Sequence, residues 1–345
     1  MVKNKKDKEK MPGGAAVPGR VRKLLNLFSY QAVGTLLVFL GLILIFIFFT
    51  PHHLFVDPRN IKALAKLTPD LGIVALGVGM LMISGEFDLS VSTVLPFSSY
   101  IFVLLLRAGM NSVFSLFMAM GVGALLGLLN GLITVKGHIP SFIATLGTMM
   151  FWRGVLYVHS RMWPIGIRAY LPAGSSFEHV LIGEIGGVVP AQVIWFVVFA
   201  LILGVVLHFH KFGNWVYATG DNKEAARAMG INTDRVKTIC FMIVGTLCGF
   251  VGVMQLLRLG SFAATQGLGF ELKAIAASVV GGTSLMGGIG SIAGIFWGAL
   301  TIQILENGLI LMRVPVFGIS AFIGLAVILF VVLNTYMRRR MMMMR

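Results

Sequence analysis

The sequence predicts an all-α protein, a polytopic transmembrane helix bundle with about ten spans (eight to ten) in two related halves. Apolar residues make up 57% of its 345 residues and charged residues only 12%, whereas soluble domains carry about 45–50% apolar and about 25% charged residues. The apolar residues form long runs between short polar segments. The 42 glycines are typical of spanning helices, which use small residues to approach one another closely.

Positive charge is concentrated at the two ends of the chain. The net charge is +15, and residues 1–23 carry eight Lys and Arg residues against Asp7 and Glu9. Beside apolar spans, such ends indicate membrane topology and contact with anionic lipid rather than with nucleic acid. We therefore predict a basic cytoplasmic arm (1–31), a transmembrane domain (32–335) and a basic cytoplasmic tail (336–345).

Ten apolar segments are predicted to cross the membrane, several of them short. They are 32–50, 71–83, 91–106, 113–135, 139–158, 191–207, 239–257, 272–285, 292–311 and 316–333. With the basic N-terminus inside, Lys136, a loop at 208–238 and the C-terminal arginines also fall inside, as the positive-inside rule expects. Arg59, Lys62 and Lys66 fit this topology less well, so the count can change by one pair of spans.

A short motif and a glycine spacing recur in the two halves. Asn-Gly-Leu-Ile at 130–133 is repeated at 307–310. Glycines four residues apart lie on one helix face and allow tight helix packing. The predicted packing glycines are Gly123, Gly127, Gly131, Gly290, Gly294 and Gly298.

Each half also has a polar break, at 84–90 and at 281–288. Paired interruptions in corresponding positions of two halves indicate a transport site near the bilayer midplane. A carboxylate at the centre of a spanning helix costs about 2.5–3.5 kcal/mol, so such a group is expected to face a cavity or a partner. The pathway candidates are Glu86, Asp88, Ser90, Asn130, Thr283, Ser284 and Asn307. The alternatives are that Asp88 caps the next helix, that the asparagines join neighbouring helices, and that the breaks are structural turns.

A compact helix is predicted inside the 208–238 loop. Asp221 is placed to cap it, Glu224 stands at the third helical position, and Gly230 can end it. The small side chains of Ala225 and Ala226 allow close approach by a partner protein. The alternative is a solvated loop with one helical turn.

No nucleotide-binding or catalytic motif stands out in the sequence. There is no Gly-x4-Gly-Lys-Ser/Thr pattern, and the histidines and cysteines lack the spacing of a metal site. We therefore predict that the chain is not an enzyme and binds no cofactor or metal itself.

The chain resembles the permease subunits of bacterial ABC importers of the ribose/xylose/arabinose type. The resemblance covers residues 33–335 and is most specific at 85–90, 140–148, 220–232 and 281–290. It departs from the broader importer pattern in lacking Ile-x-Leu-Pro after the compact helix, where Ile239-Cys240-Phe241 stands instead. Glu86 and Phe87 are larger than the residues of many relatives, which allows a non-standard substrate.

The resemblance implies a multi-pass permease of the bacterial cytoplasmic membrane with both termini in the cytoplasm. It implies a separate ATP-binding subunit that carries ATP and Mg²⁺, a periplasmic or lipid-anchored sugar-binding protein, and a second permease chain in a homodimer or heterodimer. Asp221, Glu224, Ala225, Ala226 and Gly230 would then form the helix that couples the permease to its ATPase. The substrate would be a monosaccharide of the ribose, xylose, arabinose or galactose class.

Two other substrates or mechanisms are considered. The same architecture could import a nucleoside, an inositol or an autoinducer-type sugar. An ion-coupled secondary transporter would instead need intramembrane ionisable residues.

Overall fold

The computed structural model describes residues 30–315, 318–329 and 332, and these form a multi-pass helical membrane protein. The predicted basic tail, and the predicted basic arm up to residue 29, lie outside the described residues. Within the described part, six helices are long and apolar enough to cross a membrane, and three apolar helices are shorter. The all-α, polytopic fold class is confirmed.

The structure has thirteen described α-helices, numbered here in chain order. They are α1 (Tyr30–Phe49), α2 (Pro58–Ile83), α3 (Val91–Arg107), α4 (Ser112–Lys136), α5 (Ser141–Ser160), α6 (Ser176–Ile182), α7 (Ala191–Phe209), α8 (Lys211–Asp221), α9 (Lys223–Ala228), α10 (Thr233–Leu259), α11 (Phe270–Val280), α12 (Ile292–Leu311) and α13 (Gly318–Leu329). A 3-10 helix (Pro51–Val56) joins α1 to α2. Four short strands form two antiparallel pairs. In one, β1 (Ile165–Gly166) pairs with β4 (Ser261–Phe262), and in the other, β2 (Glu184–Ile185) pairs with β3 (Val189–Pro190).

The bundle has two ends with different connections. At one end lie the segments 84–90, 210–232 and 281–291, and we call it the break end. The opposite end holds the long connection between α5 and α7, with α6 and three of the four short strands.

Helices α2 and α10 form the centre of the bundle. In the most apolar stretch of α2, 89% of the residues are buried, and α10 is nearly as enclosed. Helix α2 contacts α7, α10, α11 and α12, whereas α10 contacts α2, α3 and α4. An ion pair between Asp70 of α2 and Arg258 of α10 joins the two central helices.

Glycine faces bring α4 and α10 into backbone contact. A Cβ atom at Gly127 would lie 2.8 Å from the carbonyl carbon of Phe241 in α10, and one at Gly131 would lie 2.9 Å from the Cα of Thr238. Gly123 and Gly245 face each other in the same way. Lipid tails are as apolar as the helix surfaces, so spanning helices associate through close packing and hydrogen bonds. These glycines make that packing possible.

The second glycine series packs locally at the break end. A Cβ atom at Gly298 would collide with the backbone of α11 at Ala277, and one at Gly294 with Gly281, which directly follows α11. Gly290 lies against the side chains of Ile83 and Thr283.

Helix α2 is longer than the sequence pattern predicts. We expected a loop around Arg59, Lys62 and Lys66 and a span beginning at residue 71. The helix instead begins at Pro58, where the Asp57 carboxylate accepts a hydrogen bond from the Arg59 amide at 2.8 Å. The two lysines lie on the first turns of this helix, before the continuously buried stretch that begins at Thr68.

Ion pairs hold the long connection against the opposite end of the bundle. The carboxylate of Glu184 binds the ammonium groups of Lys62 at 2.8 Å and of Lys66 at 2.9 Å. Arg168 binds both carboxylate oxygens of Glu178, at 2.8 and 3.0 Å. Burial opposes the ionisation of Glu178. The hydrogen bonds that its carboxylate accepts from Arg168 and from the Gly174 amide nevertheless hold its pKa below the ordinary value. The lysines that fitted the topology poorly are thus neutralised by a carboxylate of this connection.

We predict that a single methyl group at Gly127 separates α4 from α10. Gly127→Ala should destabilise the protein by roughly 1–3 kcal/mol, as overpacking in a close-packed interior does. Thermal unfolding of the purified protein in detergent measures this effect. Gly121→Ala, on the same helix with open space around the position, is the matched control and should not lower the unfolding temperature, because alanine favours helix over glycine. Equal unfolding temperatures for the two variants would contradict the packing described.

We predict an unusually acidic titration for Glu184. Hydrogen bonds from Lys62 and Lys66 lower its pKa to about 2 from 4.5. The stability that the ion pairs of Glu184 contribute is therefore fully present above pH 4.5, the ordinary pKa of the carboxyl group. It is lost as the pH falls through about 2. A carboxyl-carbon NMR titration measures the midpoint, with Glu184→Gln to assign the signal. Lys62→Met with Lys66→Met should return the midpoint towards the ordinary value, whereas Arg59→Met should leave it unchanged.

Candidate functional site at the junction of two helix breaks

Three segments that are distant in sequence meet through their backbones at the break end. The amide of Gly288 in the second break donates a 2.9 Å hydrogen bond to the carbonyl of Ile83, the last residue of α2. A Cβ atom at Gly220 of α8 would lie 2.6 Å from that same Gly288 amide nitrogen and would collide with the Ile83 carbonyl. The Cα of Gly220 also lies beside Gly85 of the first break. We call this contact of Gly85, Gly220 and Gly288 the glycine junction.

Positive backbone φ angles explain why glycine is needed in the two breaks. Gly85 has a φ of 90° and Gly288 a φ of 72°, a region that residues with a Cβ rarely adopt. Gly220 is helical and is required instead by the closeness of the neighbouring backbones. A Cβ at Gly220 or Gly288 would collide with the neighbouring backbone, whereas at Gly85 the constraint is the positive φ.

A side-chain hydrogen bond adds a second link, between α8 and the residues that directly follow the second break. The hydroxyl of Tyr217 donates to the carbonyl oxygen of Gly290 at 2.7 Å. Residues 217 and 220 lie three apart on α8 and therefore share one face of that helix. This face rests on both breaks.

An ion pair joins the first break to α10. The ammonium of Lys237 lies 2.5 Å from a carboxylate oxygen of Glu86. The two side chains are only 9% and 13% exposed. Charges so far from water are tolerated only when paired, so each group requires the other.

A chain of hydrogen bonds satisfies the buried polar groups behind the first break. Asp88 accepts bonds from the Ser90 amide at 2.8 Å and the Ser90 hydroxyl at 2.6 Å. Asn130 of α4 donates to the Ser90 hydroxyl at 2.7 Å and accepts from Thr148 of α5 at 2.7 Å. The network therefore connects the first break with α4 and α5. Asp88 makes no side-chain cap to the first amides of α3, which begins after Ser90.

Two further bonds pin the first break directly to α5. The Ser141 hydroxyl accepts from the Phe87 amide at 3.0 Å, and the Thr145 hydroxyl accepts from the Leu89 amide at 3.1 Å. Both serine and threonine lie on the first turns of α5. A displacement of the break would therefore be passed to this helix.

The predicted compact helix is present as α9, with a different cap. Asp221 is the last residue of α8, and Asn222 caps α9 by accepting a 3.0 Å bond from the Ala225 amide. The prediction that Asp221 caps the helix was therefore wrong by one residue, because the preceding helix extends through Asp221. Gly230 ends the segment with a φ of 83°, as expected.

One face of α9 is buried and the other is free. Ala226 is fully buried, whereas the side chain of Glu224 is 83% exposed. Arg227 holds the helix against the start of α10 through bonds of 2.7 Å to Asp234 and 3.0 Å to Thr233. The exposed residues of α9 are Glu224, Ala225, Arg227 and Ala228, and the exposed Met229 follows the helix.

The remaining pathway candidates are not all brought together. Thr283 is buried and Ser284 is partly exposed in the second break. Asn307 lies at the opposite end, where it exchanges amide hydrogen bonds of 2.9 and 3.1 Å with Asn60. In this structure Asp88, Ser90, Asn130 and Thr283 are each no more than 2% exposed.

Sequence reasoning missed several charged residues within the helices. Lys237 pairs with Glu86, Asp70 pairs with Arg258, and Arg153 of α5 donates to Ser92 at 2.8 Å and to Thr93 at 3.2 Å. A signal was present, since an ionisable residue within a spanning segment is costly and needs a partner. Their partners could not be inferred, because they lie on other helices.

Comparison with known proteins identifies the family. The family model described as "Branched-chain amino acid transport system / permease component" matches residues 60–333. The chain belongs to this permease family. Among solved structures, none matches significantly.

Individual relatives are import permeases for sugars and for autoinducer 2. The chain is 31% identical to the xylose/arabinose import permease of Sulfolobus acidocaldarius, over 92% of this chain and 88% of the relative. It is 37% identical to the ribose import permease of Bacillus subtilis, over 86% of this chain and 91% of the relative. The autoinducer 2 import permease of Yersinia enterocolitica is 34% identical over 70% of this chain and 66% of the relative. The assignment to the sugar-permease type of ABC importer is confirmed.

We predict that removing either partner of the Lys237–Glu86 pair destabilises the protein. Lys237→Met or Glu86→Gln leaves one buried charge without its partner, which typically costs about 3–5 kcal/mol. Lys237→Met combined with Glu86→Gln should recover much of this loss, because no buried charge is left. Denaturant unfolding in detergent micelles measures the difference.

Lys62→Met is the control for the loss of a lysine. It removes one half of an exposed pair, which contributes about 0–1 kcal/mol. If Lys237→Met were no more destabilising than this control, the buried pair would not have the role described.

Proposed function

We propose that this chain is the transmembrane permease subunit of an ATP-driven importer for a monosaccharide of the ribose, xylose, arabinose or galactose class. The observation that carries the proposal is the glycine junction, where the helix pair α8–α9 rests by direct backbone contact on both polar breaks. The ribose and xylose/arabinose permeases among the relatives support the substrate class.

The free face of α9 would dock a separate ATPase subunit. The buried Ala226 anchors one face of α9 to the bundle. On the exposed face, Glu224 offers a charged group and Ala225 a small one to a partner protein. A displacement of α9 would be transmitted to α8 and then to the two breaks, through Gly220 and the Tyr217 hydrogen bond. From the first break it would reach α5 through Ser141 and Thr145.

In this proposal the chemistry of ATP lies elsewhere. ATP and Mg²⁺ bind the partner ATPase, and this chain holds no cofactor. A periplasmic or lipid-anchored binding protein delivers the sugar at the opposite end, and a second permease chain, identical or related, completes the pathway.

We also propose a ten-span topology. In it, α1 to α5, α7 and α10 to α13 would cross the membrane in alternating directions, with α11 as the short member. The repeated Asn-Gly-Leu-Ile motif lies near the break end in α4 and near the opposite end in α12. An inverted repeat produces this relation, and we propose two inverted halves with both termini on the cytoplasmic side, at the break end.

A second candidate is the same importer with a different solute. The autoinducer 2 permease among the relatives and the amino-acid wording of the family description favour testing it. A binding panel of sugars, nucleosides, inositols, autoinducer 2 and branched-chain amino acids, with the partner binding protein, decides between them. Uptake by the permease alone, driven by an ion gradient without ATP, would instead indicate a secondary transporter.

We predict that Glu224→Arg uncouples the importer. Reversing an exposed charge on the docking face should weaken binding to the ATPase and lower both sugar uptake and sugar-stimulated ATP hydrolysis at least tenfold, a loss of about 1.4 kcal/mol in coupling. The assay uses the complete transporter in proteoliposomes. Arg59→Glu reverses an exposed charge at the opposite end and should leave ATPase docking intact. Normal uptake by the Glu224→Arg protein would exclude α9 as the docking helix.

A further inference from the structure

A groove at the break end combines two free basic side chains with an apolar floor. It lies between the last turns of α4 and the first turns of α10 and has a volume of about 460 Å³. Its polar lining includes Lys136, Asn232 and Arg235, and its apolar lining includes Leu132, Ile239 and Met242. We call it the α4–α10 groove.

The two basic side chains of the groove lack ion-pair partners within the described residues. Lys136 and Arg235 are both exposed, and neither takes part in any described ion pair. Asp234 also lines the groove, but its carboxylate is bound by Arg227 at 2.7 Å and lies 3.8 Å from Lys223. The groove therefore presents two uncompensated positive charges.

The polar and apolar parts of the groove are stacked along the helix axes. Lys136 is the last residue of α4, and Leu132 lies one turn further into the bundle. Arg235 is in the first turn of α10, and Ile239 and Met242 lie one and two turns deeper. An occupant would need an anionic group at the helix ends and an apolar part directed towards the bundle centre.

A second groove lies on the other side of Arg235. It has a volume of about 370 Å³ and shares Asn232, Arg235 and Ile239 with the first, while Phe212 and Trp215 form its far wall. Tryptophan is typical of the membrane–water interface. Arg235 therefore stands between two grooves that both have apolar walls.

We propose that the α4–α10 groove binds an anionic phospholipid, with its phosphate at Lys136 and Arg235 and an acyl chain along Leu132, Ile239 and Met242. Basic pockets between spanning helices suit the head groups of such lipids, and each basic residue near an anionic surface contributes appreciably to binding. The second groove accepts the other acyl chain. The arrangement does not depend on which solute the permease transports or on which partner covers α9.

The test measures lipid retention by the full chain. The protein is purified in mild detergent with phosphatidylglycerol or with phosphatidylcholine, and bound lipid is counted by native mass spectrometry. Wild-type protein should retain phosphatidylglycerol in preference to phosphatidylcholine. Lys136→Gln with Arg235→Gln should weaken phosphatidylglycerol binding about 25-fold, since each charge contributes about fivefold.

Two further variants distinguish a specific site from general charge. Arg59→Gln with Arg107→Gln removes the same net charge from exposed positions outside the groove and should leave retention unchanged. Val135→Trp keeps both basic residues but fills the groove that Val135 lines, and it should reduce retention.

Equal phosphatidylglycerol binding by wild type and by the Lys136→Gln/Arg235→Gln protein would overturn the proposal. So would an equal loss in the Arg59→Gln/Arg107→Gln control. If the Lys136→Gln/Arg235→Gln protein kept its lipid but lost binding to the ATPase, the groove would be a protein contact and the lipid proposal would be wrong. Loss of lipid with normal ATPase docking and uptake would support it independently of the proposed function.

Discussion

The contact of Gly85, Gly220 and Gly288 determines how the break end is organised. Three backbones come together without intervening side chains, so the ends of α2 and α8 and the second break hold one another in position. The Tyr217 hydrogen bond and the Lys237–Glu86 ion pair lie at the same end and add further links between neighbouring segments. A packed contact of this kind transmits displacement, because it has no compressible space to absorb it.

Several polar groups within the bundle are paired across helices. A carboxylate or an amide away from water is stabilised by an ion pair or a hydrogen bond, and Asp70 and Glu86 each find a cationic partner on α10. Asp88 is satisfied through Ser90 and reaches α4 and α5 through Asn130 and Thr148. The first break is thus an irregular backbone segment held in position by side-chain hydrogen bonds to α4 and α5.

The sequence predicted local features well and spatial relations poorly. Apolar runs located most of the spanning helices, and the two breaks and the compact helix were found from glycine and polar residues. The start of α2 was missed because Lys62 and Lys66 resemble loop residues until their partner Glu184 is known. The cap of α9 was misplaced by one residue because nothing in the local sequence shows that α8 continues through Asp221. The meeting of the three glycine segments and the pairing of Lys237 with Glu86 depend on tertiary contacts between residues that are far apart in the sequence, which one sequence does not reveal.

The ion pair between Asp70 and Arg258 has a consequence for the biogenesis of the protein. Asp70 lies in the interior of α2, and its cationic partner is 188 residues later in the chain. During synthesis, α2 is made long before α10 and therefore carries a carboxylate without a counter-charge. A carboxylate within a spanning helix is costly to insert, and this cost is offset only when Arg258 of α10 is in place. The first half of the chain therefore depends on the second for the stability of its central helix.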